Sequence, residues 1–344
     1  MTVLSRLSLV AVLWLLWAGA EPATAQPADL SVESVIITVE DLDRAVPFYR
    51  DALSFVPVDT VEASGPNVGR LLGVFGARVR IVTLRVGAER VRLMEFLSPT
   101  GRPIPADSRS NDLWFQHVAI VVRDMGRAYE RLREYDVAHN SSRPQTLPES
   151  IPAAAGISAF YFTDPTGNPL ELIHYPPDKG PDRWHRETDA LVLGIDHTAI
   201  ATADTEESLA FYRDRLGFEV AGESVNFGPE QERLTGVFGA RVRITALRPP
   251  GGGIGVELLD YQAPSTGRPL PPDTKANDLW HGHVEARTQS PDALVQRLLD
   301  EGRPFVSPGL VDVSTSSLSL GAGAMVRGPS GHAVLLTTPV SDGS

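Results

Sequence analysis

The 344-residue sequence contains no cysteine. Disulfide bonds and thiolate metal sites are therefore excluded, and any metal must be held by nitrogen and oxygen ligands. After the N-terminal segment, the sequence also lacks any apolar run of the roughly 20 residues that a membrane span needs. The net charge of −12 argues against nucleic acids and anionic membranes as partners. A small-molecule substrate is the partner we expect.

The N-terminus has the pattern of a secretory signal peptide. Arg6 supplies the positive charge, residues 7–19 form a short apolar run, and Ala23-Thr24-Ala25 is a small-residue cleavage site. We therefore predict a signal peptide over residues 1–25 and a periplasmic or secreted protein, with cleavage after Ala25. An uncleaved anchor is the alternative, although the run is short for one.

A long internal repeat divides the rest of the chain. The segment RLLGVFGARVRI at 70–81 returns as RLTGVFGARVRI at 233–244, and NDLWFQH at 111–117 returns as NDLWHGH at 277–283. A repeat of this length indicates two like domains. We predict domains over residues 30–176 and 192–340, joined by a polar, proline-bearing linker at 177–191.

Each half contains two copies of a strand–helix–strand pattern. In the first copy, β-branched residues at 32–39 predict a strand, and Asp41 caps a predicted helix over 42–53. Residues 70–84 are predicted to form strand around glycine turns. In the last copy, Ser290 and Pro291 begin a predicted helix. The pattern predicts an α+β protein built of four βαβββ modules.

Two histidines of the repeated motif favour a metal site. Residues two apart on a strand share a face, so His281 and His283 point the same way. Two imidazoles on one strand can begin a metal site if a carboxylate and another histidine meet them.

The order of elements resembles the vicinal oxygen chelate superfamily. The resemblance rests on the strand-Asp-helix-Phe-Tyr pattern at Asp41–Tyr49 and Asp204–Tyr212, and on the DPTGNPLE run that ends at Glu171. That superfamily includes glyoxalase I, methylmalonyl-CoA epimerase, extradiol dioxygenases and drug-binding resistance proteins. The resemblance implies tandem domains, each folding two βαβββ modules into a half-open barrel. It also implies a divalent metal, with ligands on the first and last strands of each module.

The resemblance assigns one first-strand and one last-strand position to each module. The first-strand positions, in module order, are Ser34, His117, His197 and His283, and the last-strand positions are Arg92, Glu171, Glu257 and Leu335.

Because each half is expected to close its own barrel, the two halves differ in their candidate ligands. The C-terminal half then holds Fe(II), Mn(II) or Zn(II) with His197, Glu257 and His283. In the N-terminal half, Arg92 is expected to pair with Glu171 in place of a metal.

Two further residues are candidates for catalysis. Tyr261 shares a strand face with Glu257, and His281 shares one with His283 and Glu285. We predict Tyr261 and His281 as catalytic residues. The alternatives are a core tyrosine with a solvated hydroxyl and polar groups at the cleft rim.

These residues predict an exported, metal-dependent enzyme that acts on a small molecule with neighbouring oxygen atoms. Because Leu335 cannot accept a proton, a dioxygenase is placed ahead of a glyoxalase-like or epimerase-like lyase or isomerase. A binding protein without catalysis is the other alternative. The segments expected to line the clefts, 225–231 among them, do not identify the substrate.

Overall fold

A computed structural model describes residues 27–135 and 137–338 of the chain. The predicted signal peptide lies outside these residues, so its prediction stands untested. Within the described ranges, the helices are too short or too polar to cross a membrane.

The four predicted modules are present. Module 1 contains β1 (Ser31–Val39), α1 (Leu42–Asp51), β2 (Val56–Ser64), α2 (Pro66–Leu72), β3 (Arg78–Val86) and β4 (Glu89–Ser98). Module 2 contains β5 (Gln116–Val122), α3 (Met125–Arg133), β6 (Gln145–Thr146), β7 (Ser158–Thr163) and β8 (Pro169–His174). Module 3 contains β9 (Val192–Thr202), α4 (Thr205–Tyr212), β10 (Glu219–Phe227), α5 (Pro229–Thr235), β11 (Arg241–Arg248) and β12 (Gly255–Ala263). Module 4 contains β13 (Gly282–Arg287), α6 (Pro291–Asp300), β14 (Val311–Asp312), β15 (Ala322–Arg327) and β16 (Ala333–Thr337).

These strands form two 8-stranded half-barrel sheets, which confirms the predicted α+β architecture. The outer sheet combines modules 1 and 4 in the order β14-β15-β16-β13-β1-β4-β3-β2. The inner sheet combines modules 2 and 3 in the order β10-β11-β12-β9-β5-β8-β7-β6. The prediction that residues 30–176 and 192–340 each close their own barrel is therefore wrong. Each half of the sequence contributes one module to each sheet.

Each sheet joins its two modules through antiparallel first strands. In the outer sheet β1 pairs with β13, and Ile36 lies opposite His283. In the inner sheet β5 pairs with β9, and His117 lies opposite Ala199. The last strand of each module runs parallel to the first and beside it. Both kinds of ligand position thus lie at the centre of each sheet.

Two reciprocal carboxylate–guanidinium contacts stabilise this arrangement, in which each sheet takes one module from each half of the sequence. They link the connector between modules 1 and 2 (residues 99–115) to the connector between modules 3 and 4 (264–281). Asp278 accepts hydrogen bonds from the backbone N, Nε and Nη2 of Arg102 at 3.0, 2.9 and 2.7 Å. Asp112 accepts the equivalent bonds from Arg268 at 2.9, 3.0 and 2.7 Å. The two connectors therefore cross as a symmetric pair.

The crossing brings the two backbones into direct contact at two glycines. A Cβ atom on Gly101 would overlap the carbonyl of Asn277, and one on Gly267 would overlap the carbonyl of Asn111. Glycine is required at both positions because no larger residue fits. The repeated NDLW motif is thus part of the crossing, in which its aspartate and asparagine have structural contacts.

Two short helices were not predicted. The segment 70–84 was expected to form strand around glycine turns, but α2 ends at Leu72 and β3 begins only at Arg78. Pro66 starts α2, and Gly73 ends it with a left-handed φ of 63°. The predicted cap of α1 is correct, since the Asp41 side chain accepts a hydrogen bond from Asp43 N at 2.8 Å.

The concave faces of the two sheets differ in what fills them. Apolar side chains fill the concave face of the outer sheet, among them Val68, Leu71, Met94, Phe96 and Leu335. The equivalent apolar cluster of the inner sheet is smaller. It leaves room beside β9 and β12 for polar side chains, which form the candidate site.

Candidate metal centre

The inner sheet brings together all four ligand positions of modules 2 and 3. His117 lies on β5, Glu171 on β8, His197 on β9 and Glu257 on β12. Glu171 Oε2 lies 2.9 Å from His117 Nε2 and 3.6 Å from His197 Nε2. Glu257 Oε2 lies 3.2 Å from His197 Nε2. One ligand atom each from His117, Glu171 and His197 falls within 4.8 Å of the others.

This group of side chains fits a divalent cation. The Nε2 atoms of His117 and His197 are buried, and neither has an aligned hydrogen-bond partner among residues 27–135 and 137–338. Glu171 and Glu257 add two carboxylates at the same point. Nitrogen lone pairs that converge with carboxylate oxygens, without donors to pair them, form the usual environment of a bound metal ion.

The electrostatics of the group also favour a cation. Burial alone would raise the pKa of Glu171, but contact with His117 and His197 lowers it to about 2. Burial alone would lower the pKa of His197, but the charge of Glu257 and a hydrogen bond with Asp196 raise it to about 10. Burial raises the pKa of Glu257, and the charge of Glu171 adds to this effect. The carboxylates therefore favour positive charge at His197, whether a proton or a metal ion supplies it.

Asp196 orients the His197 imidazole. The pairing of β5 with β9 shifts register at Asp196, and its carboxylate lies 3.0 Å from His197 Nδ1. Asp196 also accepts hydrogen bonds from Trp184 Nε1 at 2.9 Å, Tyr175 Oη at 3.1 Å and Arg248 Nη2 at 2.8 Å. Burial opposes ionisation of Asp196, but contacts with His197 and Arg248 hold its pKa well below the usual range. A carboxylate that holds Nδ1–H leaves Nε2 free for a metal.

Asp196→Ala should weaken metal binding without removing any ligand. We expect a metal dissociation constant about 10- to 100-fold higher, the usual effect of losing a carboxylate behind a ligating histidine. Metal titration with a competing chelator measures it. The matched control is Glu33→Ala, at the equivalent position of module 1, which should leave metal affinity unchanged. Equal affinity in Asp196→Ala and the wild type would contradict the orienting role.

The structure separates His283 from the other predicted ligands, so the predicted set of His197, Glu257 and His283 is wrong. His283 lies on β13 of the outer sheet, whereas the other two lie in the inner sheet. The expected pair of Arg92 with Glu171 is also not formed, because these residues lie in different sheets. Both errors follow from assigning modules to sheets by sequence order.

The outer sheet contains the degenerate set of ligand positions. Glu285 Oε2 accepts hydrogen bonds from Ser34 Oγ at 2.7 Å and from Arg92 Nη1 at 3.1 Å. The guanidinium of Arg92 thus supplies positive charge beside a buried carboxylate. Burial, together with the charges of Arg92 and Arg327, lowers the pKa of His283 to about 3, so this imidazole is neutral. The fourth ligand position of the outer sheet is occupied by Leu335, which cannot bind a metal. These four residues therefore do not fit a metal ion.

The two predicted catalytic residues lie in different sheets. His281 is next to His283, with ring centroids 5.3 Å apart, and burial holds its pKa well below the usual value. His281 therefore belongs to the outer sheet and not to the group around His197. Tyr261 lies on β12 of the inner sheet, where burial raises the pKa of its hydroxyl. Its side chain packs in the apolar cluster of that sheet.

A cavity of about 210 Å³ opens beside the four-residue group. Glu171, His197 and Glu257 line one side. Side chains from β10, α5, β7 and the 145–157 segment complete the wall, among them Glu223, Asn226, Gln231, Tyr161, Leu147 and Ala154. The volume suits a small molecule placed directly beside the candidate ligands.

The sequence analysis named all four residues of this group as candidate ligands but did not predict that they come together. It also missed Asp196 and the linker residue Trp184, although an acidic residue directly before a candidate ligand was visible in the sequence. The predicted linker is part of the site's support, because Trp184 is buried and bonded to Asp196.

The chain belongs to the Glyoxalase/Bleomycin resistance protein/Dioxygenase superfamily, whose family model matches residues 31–172 and 194–336. Over 155 residues it is 34% identical to the 2-epi-5-epi-valiolone epimerase of an Actinomyces species, covering 44% of this chain and 82% of that protein.

Solved structures share the fold. Glyoxalase I from Zea mays matches with a TM-score of 0.57 at 15% identity, over 90% of this chain and 92% of that one. A putative dioxygenase from Bacillus subtilis matches with a TM-score of 0.54 at 13% identity, over 92% and 86% of the two chains.

Proposed function

We propose that the protein is a metal-dependent isomerase or epimerase that moves a proton on a carbon atom next to a carbonyl group. The observation that carries this proposal is that two carboxylates, those of Glu171 and Glu257, lie 3.6 and 3.2 Å from the same His197 Nε2. The epimerase relative is consistent with it. A divalent metal would be held by His117, Glu171 and His197, with the carboxylate of Glu257 beside them.

The structure removes the reason for placing a dioxygenase first. That preference assumed that Leu335 stood opposite the ligand carboxylate and could not accept a proton. In the inner sheet the residue at that position is Glu257, a carboxylate.

Glu257 is the carboxylate placed to reach a substrate. Its side chain is 21% exposed and lines the cavity, whereas Glu171 is 6% exposed and contacts both histidines. A divalent cation bound here would stabilise negative charge on a substrate oxygen. Glu257 takes the proton from the neighbouring carbon. For an isomerisation its carboxyl group returns the proton to the former carbonyl carbon, whereas an epimerisation needs a proton delivered to the opposite face of the first carbon. Asp196 and Arg248 keep the His197 ring fixed during this exchange.

Deuterium exchange tests the proposal. In D₂O, the metal-loaded protein should incorporate deuterium next to the carbonyl of 2-epi-5-epi-valiolone, and NMR follows the exchange. Glu257→Gln should reduce the rate by about 10²- to 10⁴-fold, the usual contribution of a positioned general base. Glu223→Gln, which changes another carboxylate of the cavity wall, is the control and should retain exchange. Oxygen uptake with ring cleavage of a catechol, and no deuterium exchange, would show a dioxygenase instead.

A further inference from the structure

Two buried amides face the cavity from the side of β10 and α5. Asn226 is 3% exposed and Gln231 is 1% exposed. Both line the cavity, and the amide oxygen of each lacks a hydrogen-bond partner in the described part of the chain. A buried acceptor without a partner costs about 1–3 kcal/mol, so such a pair in a cavity wall indicates a ligand that supplies the missing partners.

The outer sheet provides an internal comparison. Its positions equivalent to Asn226 and Gln231 are Ala63 and Val68, as the strand registers show: Asn226 lies opposite Val242, and Ala63 opposite Val79. Ala63 and Val68 are both buried in the apolar cluster of the outer sheet. At these two positions the inner sheet, which also has the complete ligand set, has amides, whereas the outer sheet has apolar residues. The fold itself does not need them, because the same backbone closes with apolar residues.

The charge of the cavity wall restricts the ligand. Its acidic side chains are Glu171, Glu257 and Glu223, and no lysine or arginine is among the lining residues that the structure describes. Without such a residue, a phosphate or carboxylate at the end of the ligand away from His197 would meet no positive side chain of the wall, and Glu223 would repel it. A hydroxyl group can pair with either end of an amide, since it both donates and accepts. The ligand chemistry that fits is neutral and rich in hydroxyl groups.

We infer that Asn226 and Gln231 bind hydroxyl groups of the substrate, and that the substrate is a neutral, polyhydroxylated ketone of about ring size. This inference rests on the proposed function, because it assumes that the carbonyl end of the substrate lies at His117, Glu171, His197 and Glu257. Asn226 and Gln231 then determine specificity at the opposite end of the cavity. They take no part in proton transfer.

Two ketones can be used to distinguish recognition at one end of the cavity from recognition at the other. Both 2,3,4,5,6-pentahydroxycyclohexanone and 2-hydroxycyclohexanone offer a carbonyl with a neighbouring hydroxyl, but only the first carries further hydroxyl groups. Calorimetry with Zn(II)-loaded protein should show at least about 10-fold tighter binding of the pentahydroxy compound, as two added hydrogen bonds imply. Asn226→Ala and Gln231→Val, which introduce the outer-sheet residues, should each weaken that binding about 3- to 10-fold.

The control ligand identifies the cause of any change. In both variants, 2-hydroxycyclohexanone should bind within about twofold of the wild type, and metal content should be unchanged. Equal affinity of wild type for the two ketones, or no binding of either, would overturn the inference. Equal weakening of both ligands in the variants would overturn it too, because the amides would then shape the cavity without recognising hydroxyls. Deuterium exchange by wild type alongside any of these results would leave the proposed reaction standing.

Discussion

His117→Ala should remove the bound metal, whereas His283→Ala should leave it in place. The two histidines occupy equivalent positions of the repeat, on β5 and β13, and differ in what surrounds them. His117 meets Glu171 at 2.9 Å in the four-residue group, while His283 faces the positive charges of Arg92 and Arg327.

The expected effect is large because a direct ligand is lost. Removing a partner behind a ligand already weakens metal binding by about 10- to 100-fold, and removing the ligand should exceed this. Elemental analysis after dialysis should find one divalent ion per chain in wild type and in His283→Ala, and almost none in His117→Ala. Deuterium exchange should disappear with the metal.

This comparison can fail in two informative ways. Metal loss in His283→Ala with retention in His117→Ala would place the site in the outer sheet. No metal in the wild type would remove the metal-dependent proposal altogether.

The second large effect concerns the crossing of the connectors. Asp112→Ala should destabilise the protein by about 2–4 kcal/mol, because it removes a buried carboxylate that accepts hydrogen bonds from the partly buried backbone N–H groups of Arg109 and Arg268. Asp278→Ala should have a similar effect through Lys275 and Arg102. Chemical denaturation followed by circular dichroism measures the loss.

An exposed ion pair provides the control for the crossing. Asp51 pairs with Arg50 at 2.7 Å on the surface, where such a contact contributes about 0–1 kcal/mol. Asp51→Ala should therefore change stability little. Equal losses in Asp51→Ala and Asp112→Ala would show that the connector contacts are no more important than surface pairs.

The sequence predicts the modules well because their signals are local. Helix α1 could be located from its Asp41 cap, and strand β1 from its β-branched residues. Each ligand position also lies at a fixed place in its own module, so Glu171 and Glu257 could be identified without knowing which modules meet. Helices α2 and α5 were missed because their apolar residues were interpreted as part of the following strand.

The pairing of modules could not be predicted from the same signals. Strands β5 and β13 have nearly the same pattern of apolar residues and are preceded by the same NDLW motif. Either strand could therefore pair with β1 and bury the same apolar residues. The selection is made by contacts between connectors, such as Arg102 with Asp278. Each half contains both an arginine and an aspartate of this kind, and the sequence alone does not show whether they pair within one half or between halves.

The exchange of modules has a consequence for how such a chain can arise. A half-length protein with the same connections would leave both of its sheets incomplete, and two copies would complete them as a swapped dimer with two identical clefts. Joining the copies end to end makes the clefts unequal, since one then receives only the inner modules and the other only the outer ones. From that point a single point mutation changes one cleft and not both. The chain can therefore keep the polar group in one cleft while apolar side chains fill the other.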